Sequence, residues 1–215
     1  MKDKYNLTLQ QALYLAKKNI VEVIHSVSRL ENVNTTFPQT KTIVDGMSVS
    51  GVTTDDIQTI LNLKNAWQYI LKLDTPFTLE VSNKINSFVA YNESLAWGVL
   101  RTGNVGIHLP SIPVEHDIQH VIGQILDDAT TSNTYKALKY MYYAMRSQFY
   151  WDGNKRTALV SANYIMLLGG SGIININENQ LEEWNRLLSE FYNTNDDTRI
   201  IQWTYDNCIY GIDYV

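Results

Sequence analysis

The stretch QFYWDGNKRT, residues 148–157, separates two segments with helical periodicity and combines a turn signal with a helix start. The segment KYMYYAMRS before it has a helical pattern. Gly153 allows a tight turn, and Asn154 is a preferred N-cap residue. We therefore predict that a new helix has Asn154 as its N-cap. The apolar face of this helix comprises Ala158, Leu159, Ala162, Ile165 and Met166.

Two cations, Lys155 and Arg156, lie in the first turn of this predicted helix. The helix dipole already makes this end positive, so each cation is unfavourable by about 0.3–1 kcal/mol unless an anion is bound. A phosphate suits the position, because Gly153 permits close backbone approach, the first amides donate and Arg156 can hold two oxygens. Asp152 is placed to hold Mg²⁺ against those phosphates. Residue types and spacing leave one alternative equally open, namely solvated cations beside an ordinary Asp-Gly turn.

Composition limits the kinds of protein that this chain can be. The 215 residues are 45% hydrophobic, enough to bury one substantial core. A net charge of −5 argues against general nucleic-acid binding, which needs a broad excess of Lys and Arg. The single cysteine excludes an internal disulfide, and the start MKDKYNLTLQ lacks the apolar run of a signal peptide. No segment has the uncharged apolar length that a membrane span requires. We expect a soluble, cytoplasmic protein.

Helical periodicity dominates the rest of the chain. An apolar stripe runs from Leu9 to Leu30, and a second helix is predicted from a Thr-Thr-Asp-Asp start at Thr53. Because the chain has no repeats, low-complexity tracts or composition break, we predict one mainly helical domain. Further helices are predicted to begin near Thr78, near residues 111–113, near residues 132–133, at Asn154, at Asn179 and at Asp196.

One segment has a different pattern. WGVLRTGNVGIHL, residues 97–109, places β-branched residues on both sides of a Thr-Gly-Asn turn. We predict a short β-hairpin over residues 99–109 as the principal β element, lying on the helical body because an isolated hairpin is not stable alone. Its edge could accept an extended peptide as an added strand. An irregular connector without a partner is about equally compatible with the sequence.

The residues around the turn resemble the core motif of the Fic/Doc family, HxFx(D/E)GN(G/K)R. Residues 152–156, DGNKR, match the end of this motif, which puts Gln148 at the His position and Tyr150 at the Phe position. The resemblance covers nearly the whole chain. Residues 29–71 resemble the N-terminal part of Fic proteins that carry their own inhibitory helix, and residues 98–113 resemble the target-docking flap. The resemblance implies an all-α, Fic-type helical bundle with a short β-hairpin flap.

The resemblance also implies how sites are distributed along the chain. It divides the single Fic-like domain, residues 1–215, into an N-terminal helical part with the inhibitory-like segment, residues 1–75, and a Fic core with flap and motif, residues 76–215. It assigns Mg²⁺ binding to Asp152. It assigns nucleotide binding, with ATP as one candidate, to Gly153, Asn154, Lys155 and Arg156. It assigns docking of a protein substrate to the flap residues Leu100, Arg101, Thr102, Gly103, Asn104 and Val105.

The chemistry that the resemblance implies depends on the residue at the His position. Fic enzymes transfer AMP or another phosphate-containing group from a nucleotide to a target hydroxyl, with the motif His as general base, and Doc-type members transfer the terminal phosphoryl group. Gln148 lacks useful basicity, although it could orient a hydroxyl or a phosphate. Leu159 replaces a second Arg of the adenylylating motif and Lys155 is closer to the Doc pattern, so both transfers stay open. A catalytically silent module that binds nucleotide or a partner protein is the alternative.

A family pattern for the inhibitory segment, (S/T)xxxE(G/N), is matched in part. Glu31 and Asn32 fit its end, but Val27 stands at the Ser/Thr position. In relatives the Glu pairs with the second motif Arg, and that position is Leu159 here. We therefore expect Glu31 either to reach Arg156 or to be an ordinary surface residue near a helix end.

Overall fold

The computed structural model describes residues 1–104 and 111–212, which form nine α-helices and a two-stranded sheet. This confirms the predicted all-α class. None of the helices in these ranges has both the length and the hydrophobicity needed to cross a membrane. The helices are α1 Leu9–Arg29, α2 Phe37–Val44, α3 Thr54–Ile70, α4 Leu79–Val89, α5 Glu115–Asp127, α6 Asn133–Ser147, α7 Asn154–Leu168, α8 Leu181–Thr194 and α9 Thr198–Cys208. The strands are β1 Ile173–Ile174 and β2 Ile209–Tyr210, and a 3₁₀ turn, Glu178–Gln180, precedes α8.

Helix α7 is the centre of the fold. Every residue of 154–167 except Lys155 is buried, so the helix has no exposed face over this length. A helix buried on all sides must be surrounded by other elements, and α7 contacts α1, α3, α4, α6 and β1. Helices that precede residue 75 and helices that follow it thus both pack on α7. The division of the chain into residues 1–75 and 76–215 stays a prediction. The turn that precedes α7 is consequently anchored in the core.

Side-chain caps explain where many of the helices begin. Thr8, Thr36, Thr53, Thr78 and Ser132 each accept a hydrogen bond from the backbone N–H three residues later. The starts predicted near Thr53, Thr78 and residues 132–133 are therefore confirmed. Helices α5, α8 and α9 begin about two residues later than predicted.

The described half of the predicted hairpin is not a strand. Residues 99–104 contain no β-strand, and Arg101 in this segment bonds to the turn between α6 and α7, residues 148–153. The Arg101 N–H donates to the carbonyl oxygen of Phe149 at 2.9 Å, and the Arg101 Nε donates to that of Gln148 at 2.6 Å. The prediction is wrong for residues 99–104, and residues 105–110 lie outside the described residues. The described β-structure is instead the antiparallel pair β1–β2.

A buried hydroxyl cluster joins α4, α6 and the turn before α7. Ser82 Oγ lies 2.9 Å from Tyr140 Oη and 2.7 Å from Tyr150 Oη. Tyr150 Oη also donates to Asn83 Oδ1 at 3.0 Å. Burial raises the pKa of Tyr140 to about 12. The neutral hydroxyl is thus the form that the fold stabilises, and the cluster fixes the side chain of Tyr150, which belongs to the turn between α6 and α7.

We predict that this cluster makes the fold sensitive to alkali. The folded pKa of Tyr140 lies above its unfolded value near 10, so the stabilisation is fully present below about pH 10 and is lost as the pH rises towards 12. The contribution of Tyr140 is about 2–3 kcal/mol. Urea unfolding measured from about pH 8 to pH 11 should give a shallower alkaline fall for Tyr140→Phe than for the unaltered chain. Tyr14→Phe, at an exposed tyrosine of α1, is the control and should keep the original slope.

Candidate functional site

The turn between α6 and α7 is built from two residues with left-handed backbone conformation. Gln148, which follows α6, has φ 49° and ψ 63°, and its N–H donates to the carbonyl oxygen of Ala144 at 3.1 Å. Gly153, which precedes α7, has φ 70° and ψ 17°. A left-handed residue reverses the chain direction within a short distance. Residues 148–153 therefore return the chain directly into the buried helix α7.

Asn154 closes this turn rather than capping the helix. Its Nδ2 donates to the carbonyl oxygen of Tyr150 and its Oδ1 accepts the Tyr150 N–H, both at 2.8 Å. The N-cap of α7 is Gly153, so the prediction of Asn154 as N-cap is wrong by one residue. Gly153 has no side chain to cap the helix, and within residues 1–104 and 111–212 no side chain caps α7. The Thr157 N–H bonds to the Gly153 carbonyl, which leaves the amides of residues 154–156 without intrahelical acceptors.

The C-terminal end of α4 supports the turn from below. A Cβ atom on Gly153 would lie 2.9 Å from Val89 Cγ1, so the backbone packs where a side chain cannot fit. Asn86 Nδ2 donates to the Asp152 carbonyl oxygen and to Thr157 Oγ1, each at 3.1 Å. One buried amide of α4 thus binds both the end of the turn, at Asp152, and the first turn of α7, at Thr157.

Four charged groups meet at the start of α7. Asp152 is half-exposed, and its Oδ1 accepts the Gly153 N–H at 2.5 Å. Lys155 Nζ donates to the carbonyl oxygen of Leu30 at 3.3 Å and lies 3.6 Å from Glu31 Oε1. Arg156 Nε lies 4.0 Å from the same Glu31 oxygen. The structure thus brings the predicted residues together, and the end of α1 supplies the acid.

A further acid, Glu93, was not predicted from the sequence. Arg156 Nη1 donates to Glu93 Oε2 at 2.6 Å, and the two side chains are 4% and 17% exposed. Glu93 Oε1 accepts from Asn62 Nδ2 at 2.8 Å and from Thr59 Oγ1 at 3.1 Å. Glu93 is 63 residues from Arg156 in a short polar stretch, and no motif or spacing marks it. Only the packing of α3, α4 and α7 brings it to the site.

The second motif Arg has no equivalent in the interior of α7. Leu159 is fully buried in the core and offers no charge to Glu31. Glu31 Oε1 instead lies 3.6 Å from Lys155 Nζ and 4.0 Å from Arg156 Nε, near the cation that the sequence analysis named for it, Arg156. Its inhibitory role stays a prediction.

Gln148 is held by bonds to α6. Its Nε2 donates to the carbonyl oxygen of Met145 at 2.6 Å, and Tyr192 Oη donates to the same carbonyl at 3.2 Å. Burial and the charge of Glu31 raise the pKa of Tyr192 to about 12. Neither side chain can therefore accept a proton readily near neutral pH. Gln148 and Tyr192 thus place a neutral amide and a neutral phenol at the Met145 carbonyl.

The flap residues contact the turn between α6 and α7 through Arg101. Arg101 is buried, and its guanidinium also donates to the carbonyl oxygens of Gly103 at 2.9 Å and Ser111 at 3.0 Å. A Cβ atom on Gly103 would lie 3.0 Å from Trp151 Cη2, so the flap approaches the motif closely here. Leu100 is half-buried, Thr102 and Asn104 are exposed, and Val105 lies outside the described residues.

Comparison with solved structures identifies the fold. The structure matches Fic-1 from C. elegans over 92% of this chain, at 17% sequence identity and a TM-score of 0.78. It matches a Fic domain containing signaling protein from Bacteroides thetaiotaomicron over 93% of this chain and 86% of that one, at 15% identity and a TM-score of 0.77. A Fic family protein from Desulfovibrio desulfuricans matches over 90% of this chain, at 16% identity and a TM-score of 0.70. The chain therefore has the Fic fold.

The extent of these matches limits what they establish. This chain spans 62% of the C. elegans chain and 63% of the Desulfovibrio desulfuricans chain, less than two thirds of each. No protein-family model and no curated protein matches the sequence. The likeness establishes the architecture, and conclusions about chemistry rest on the residues of the site.

We predict that Gly153→Ala lowers the free energy of unfolding by about 1–3 kcal/mol, because the residue has a positive φ and a Cβ would press on Val89. Gly123→Ala is the matched control. Gly123 lies within α5, where a Cβ would meet only Asp127 Oδ2 at 3.8 Å. This control should gain about 0.5–1 kcal/mol from helix propensity. Equal changes in urea-unfolding free energy for both variants would contradict the assigned turn geometry.

Proposed function

We propose that this chain binds a nucleotide together with Mg²⁺ at the start of α7, and that it is a Fic-type transferase whose transfer step is suppressed by Gln148. The observation that carries the proposal is the uncapped first turn of α7, flanked by Asp152 and Lys155 in a chain with the Fic fold. Amides that lack intrahelical acceptors, together with the positive helix end, favour a phosphate. The half-buried Lys155 adds a cation beside them.

The residues present fit a magnesium ion. Asp152 is half-exposed and uses one oxygen for the Gly153 N–H, so the other oxygen can coordinate a cation. The described ranges hold no cluster of three His, Cys, Asp or Glu side chains that could bind a metal. This fits Mg²⁺, which commonly takes one or two protein carboxylates and completes its shell with water and substrate phosphates. When bound, the ion would neutralise phosphate charge.

The suppressed step is the deprotonation of the target hydroxyl. In the transfer implied by the Fic resemblance, this oxygen attacks a phosphorus of the nucleotide while a base at position 148 takes its proton. Gln148 is a neutral amide, and losing such a base removes about 10²–10⁴ of rate. Positioning and charge stabilisation can still operate without it. We therefore expect slow or undetectable transfer by the unaltered chain.

Two phosphorus atoms of the nucleotide are candidates for this attack, the α phosphorus and the terminal one. Transfer of AMP breaks the bond between the α and β phosphates, whereas Doc-like transfer moves the terminal phosphoryl group. Leu159 supplies no charge for the outer phosphates. The cation available near the start of α7 is Lys155, in the first turn of the helix. Adenylylation is the reaction that we propose first, because the N-terminal part of the chain resembles that of Fic proteins with an inhibitory helix.

A catalytically silent binding module is the second candidate. Two observations favour it, since the Gln148 amide donates to the Met145 carbonyl and Glu93 neutralises the charge of Arg156. Such a module would keep nucleotide or a partner protein bound without turnover. In either case we propose that a protein segment docks at the flap, residues 100–105. We place the function in the cytoplasm, where ATP, Mg²⁺ and target proteins occur together.

We predict that ATP with Mg²⁺ raises the melting temperature and that Lys155→Ala weakens binding about three- to tenfold, because a charge-assisted contact to phosphate is lost. Lys72→Ala, at an exposed lysine after α3, is the control and should bind as the unaltered chain does. Calorimetry on the three proteins measures this. If none of them binds ATP at millimolar concentration, the nucleotide proposal is wrong.

We predict that Gln148→His increases transfer. A His at this position could donate one ring N–H to the Met145 carbonyl, where Gln148 Nε2 now donates, and keep its other nitrogen as a base. Labelling with α- and γ-labelled ATP, measured separately, distinguishes adenylyl from phosphoryl transfer. Gln148→Ala is the control, since it removes the amide without supplying a base.

The same experiment should be repeated with Glu31→Gly in the Gln148→His background, because Glu31 lies beside both cations of the site. Labelling by the unaltered chain equal to that of Gln148→His would show that residue 148 is not the base position. An absence of transfer in the double variant, together with measured ATP binding, would establish the silent module.

A further inference from the structure

The guanidinium of Arg156 is surrounded by carboxylates. Its Nη1 lies 2.6 Å from Glu93 Oε2, its Nη2 lies 3.6 Å from Asp152 Oδ1, and its Nε lies 4.0 Å from Glu31 Oε1. Of these three contacts, only the one to Glu93 is a hydrogen bond. With Lys155 included, three carboxylates face two cations at the site. A phosphate that enters must therefore compete with acids that the chain itself provides.

The contact between Arg156 and Glu93 leaves part of the guanidinium unsatisfied. Arg156 Nε is buried and has no hydrogen-bond acceptor among the described residues. A guanidinium has donors on all three nitrogens and can hold two oxygens of one anion side by side. Arg156 thus keeps capacity for an anion other than Glu93, next to the start of α7.

Glu93 can be displaced more easily than Arg156. Arg156 belongs to the buried helix α7, whereas Glu93 lies in the loop after α4 and is partly exposed. Glu93 also borders an open polar cleft of about 600 Å³. The cleft is lined by Thr54, Asp55, Gln58, Thr59, Asn92 and Glu93. The cleft has room for the Glu93 side chain once it leaves Arg156.

We propose that Glu93 is an internal competitor for Arg156 and thereby limits the affinity of the site for phosphate. This inference rests on the proposed nucleotide binding. While Glu93 is bonded to Arg156 Nη1, an entering phosphate can contact the first-turn amides, Lys155 and only the remaining donors of the guanidinium. When phosphate oxygens replace Glu93 at the guanidinium, Glu93 turns into the cleft and affinity rises. Glu93 differs from Glu31 in element and in contact, since it follows α4 and bonds directly to Arg156.

The test measures binding of Mg-ATP and of Mg-pyrophosphate to the full chain by calorimetry. Glu93→Gln removes the competing charge at nearly constant shape, and it should lower the Kd for both ligands about tenfold because Arg156 becomes available. Glu182→Gln removes the same charge from an exposed position of α8 and should leave both Kd values unchanged. The control thus separates competition at Arg156 from a change in overall charge.

A milder variant covers the case in which Glu93→Gln fails to fold, since an unpaired buried Arg is destabilising. Thr59→Val removes the hydroxyl that donates to Glu93 Oε1 but leaves the ion pair. It should lower the Kd about threefold by loosening Glu93. Unchanged or weaker binding in the folded variants, with binding by the unaltered chain intact, overturns the competition alone. If no protein binds either ligand, the nucleotide proposal and the competition both fail.

Discussion

The fold around the site depends on one pair of hydrogen bonds, between the side-chain amide of Asn154 and the backbone of Tyr150. These bonds satisfy a buried N–H and a buried carbonyl that the end of α6 and the start of α7 cannot pair, and such groups are costly when left alone. With the turn closed, Tyr150 reaches Ser82, and Gly153 lies where an added Cβ would meet Val89. The amides of residues 154–156 then lack both intrahelical acceptors and a side-chain cap among the described residues.

Each cation of the site lies beside an acid of the same chain. Lys155 faces Glu31 and Arg156 is bonded to Glu93, so neither cation presents its full field to an entering phosphate. Among the described residues, the amides of residues 154–156 have no hydrogen bond to an acid. A metal ion at Asp152 would reverse the local charge balance, which makes the proposed dependence of phosphate binding on Mg²⁺ a direct result of this arrangement.

Local signals could be predicted from the sequence, and contacts between distant segments could not. The caps at Thr53 and Thr78 and the helix after Asp152 follow from residue type and period. Helix α2 was missed because its eight residues contain too few apolar positions to show a period. The hairpin prediction is wrong for residues 99–104, where the Arg101 side chain bonds to the carbonyl oxygen of Gln148, a partner 47 residues away in the sequence. Glu93 could not be predicted for the same reason, because its partner Arg156 lies 63 residues away in the sequence.

Arg101 links the described flap residues 101–103 to the turn between α6 and α7, residues 148–153, by hydrogen bonds. Its backbone N–H and its guanidinium bond to the carbonyls of Phe149 and Gln148, while other nitrogens hold the carbonyls of Gly103 and Ser111. A displacement of Arg101 must therefore stretch the same hydrogen bonds as a displacement of the Gln148 and Phe149 carbonyls. By thermodynamic reciprocity, any binding event that shifts Arg101 also shifts the carbonyls of Gln148 and Phe149, and the reverse holds to the same extent.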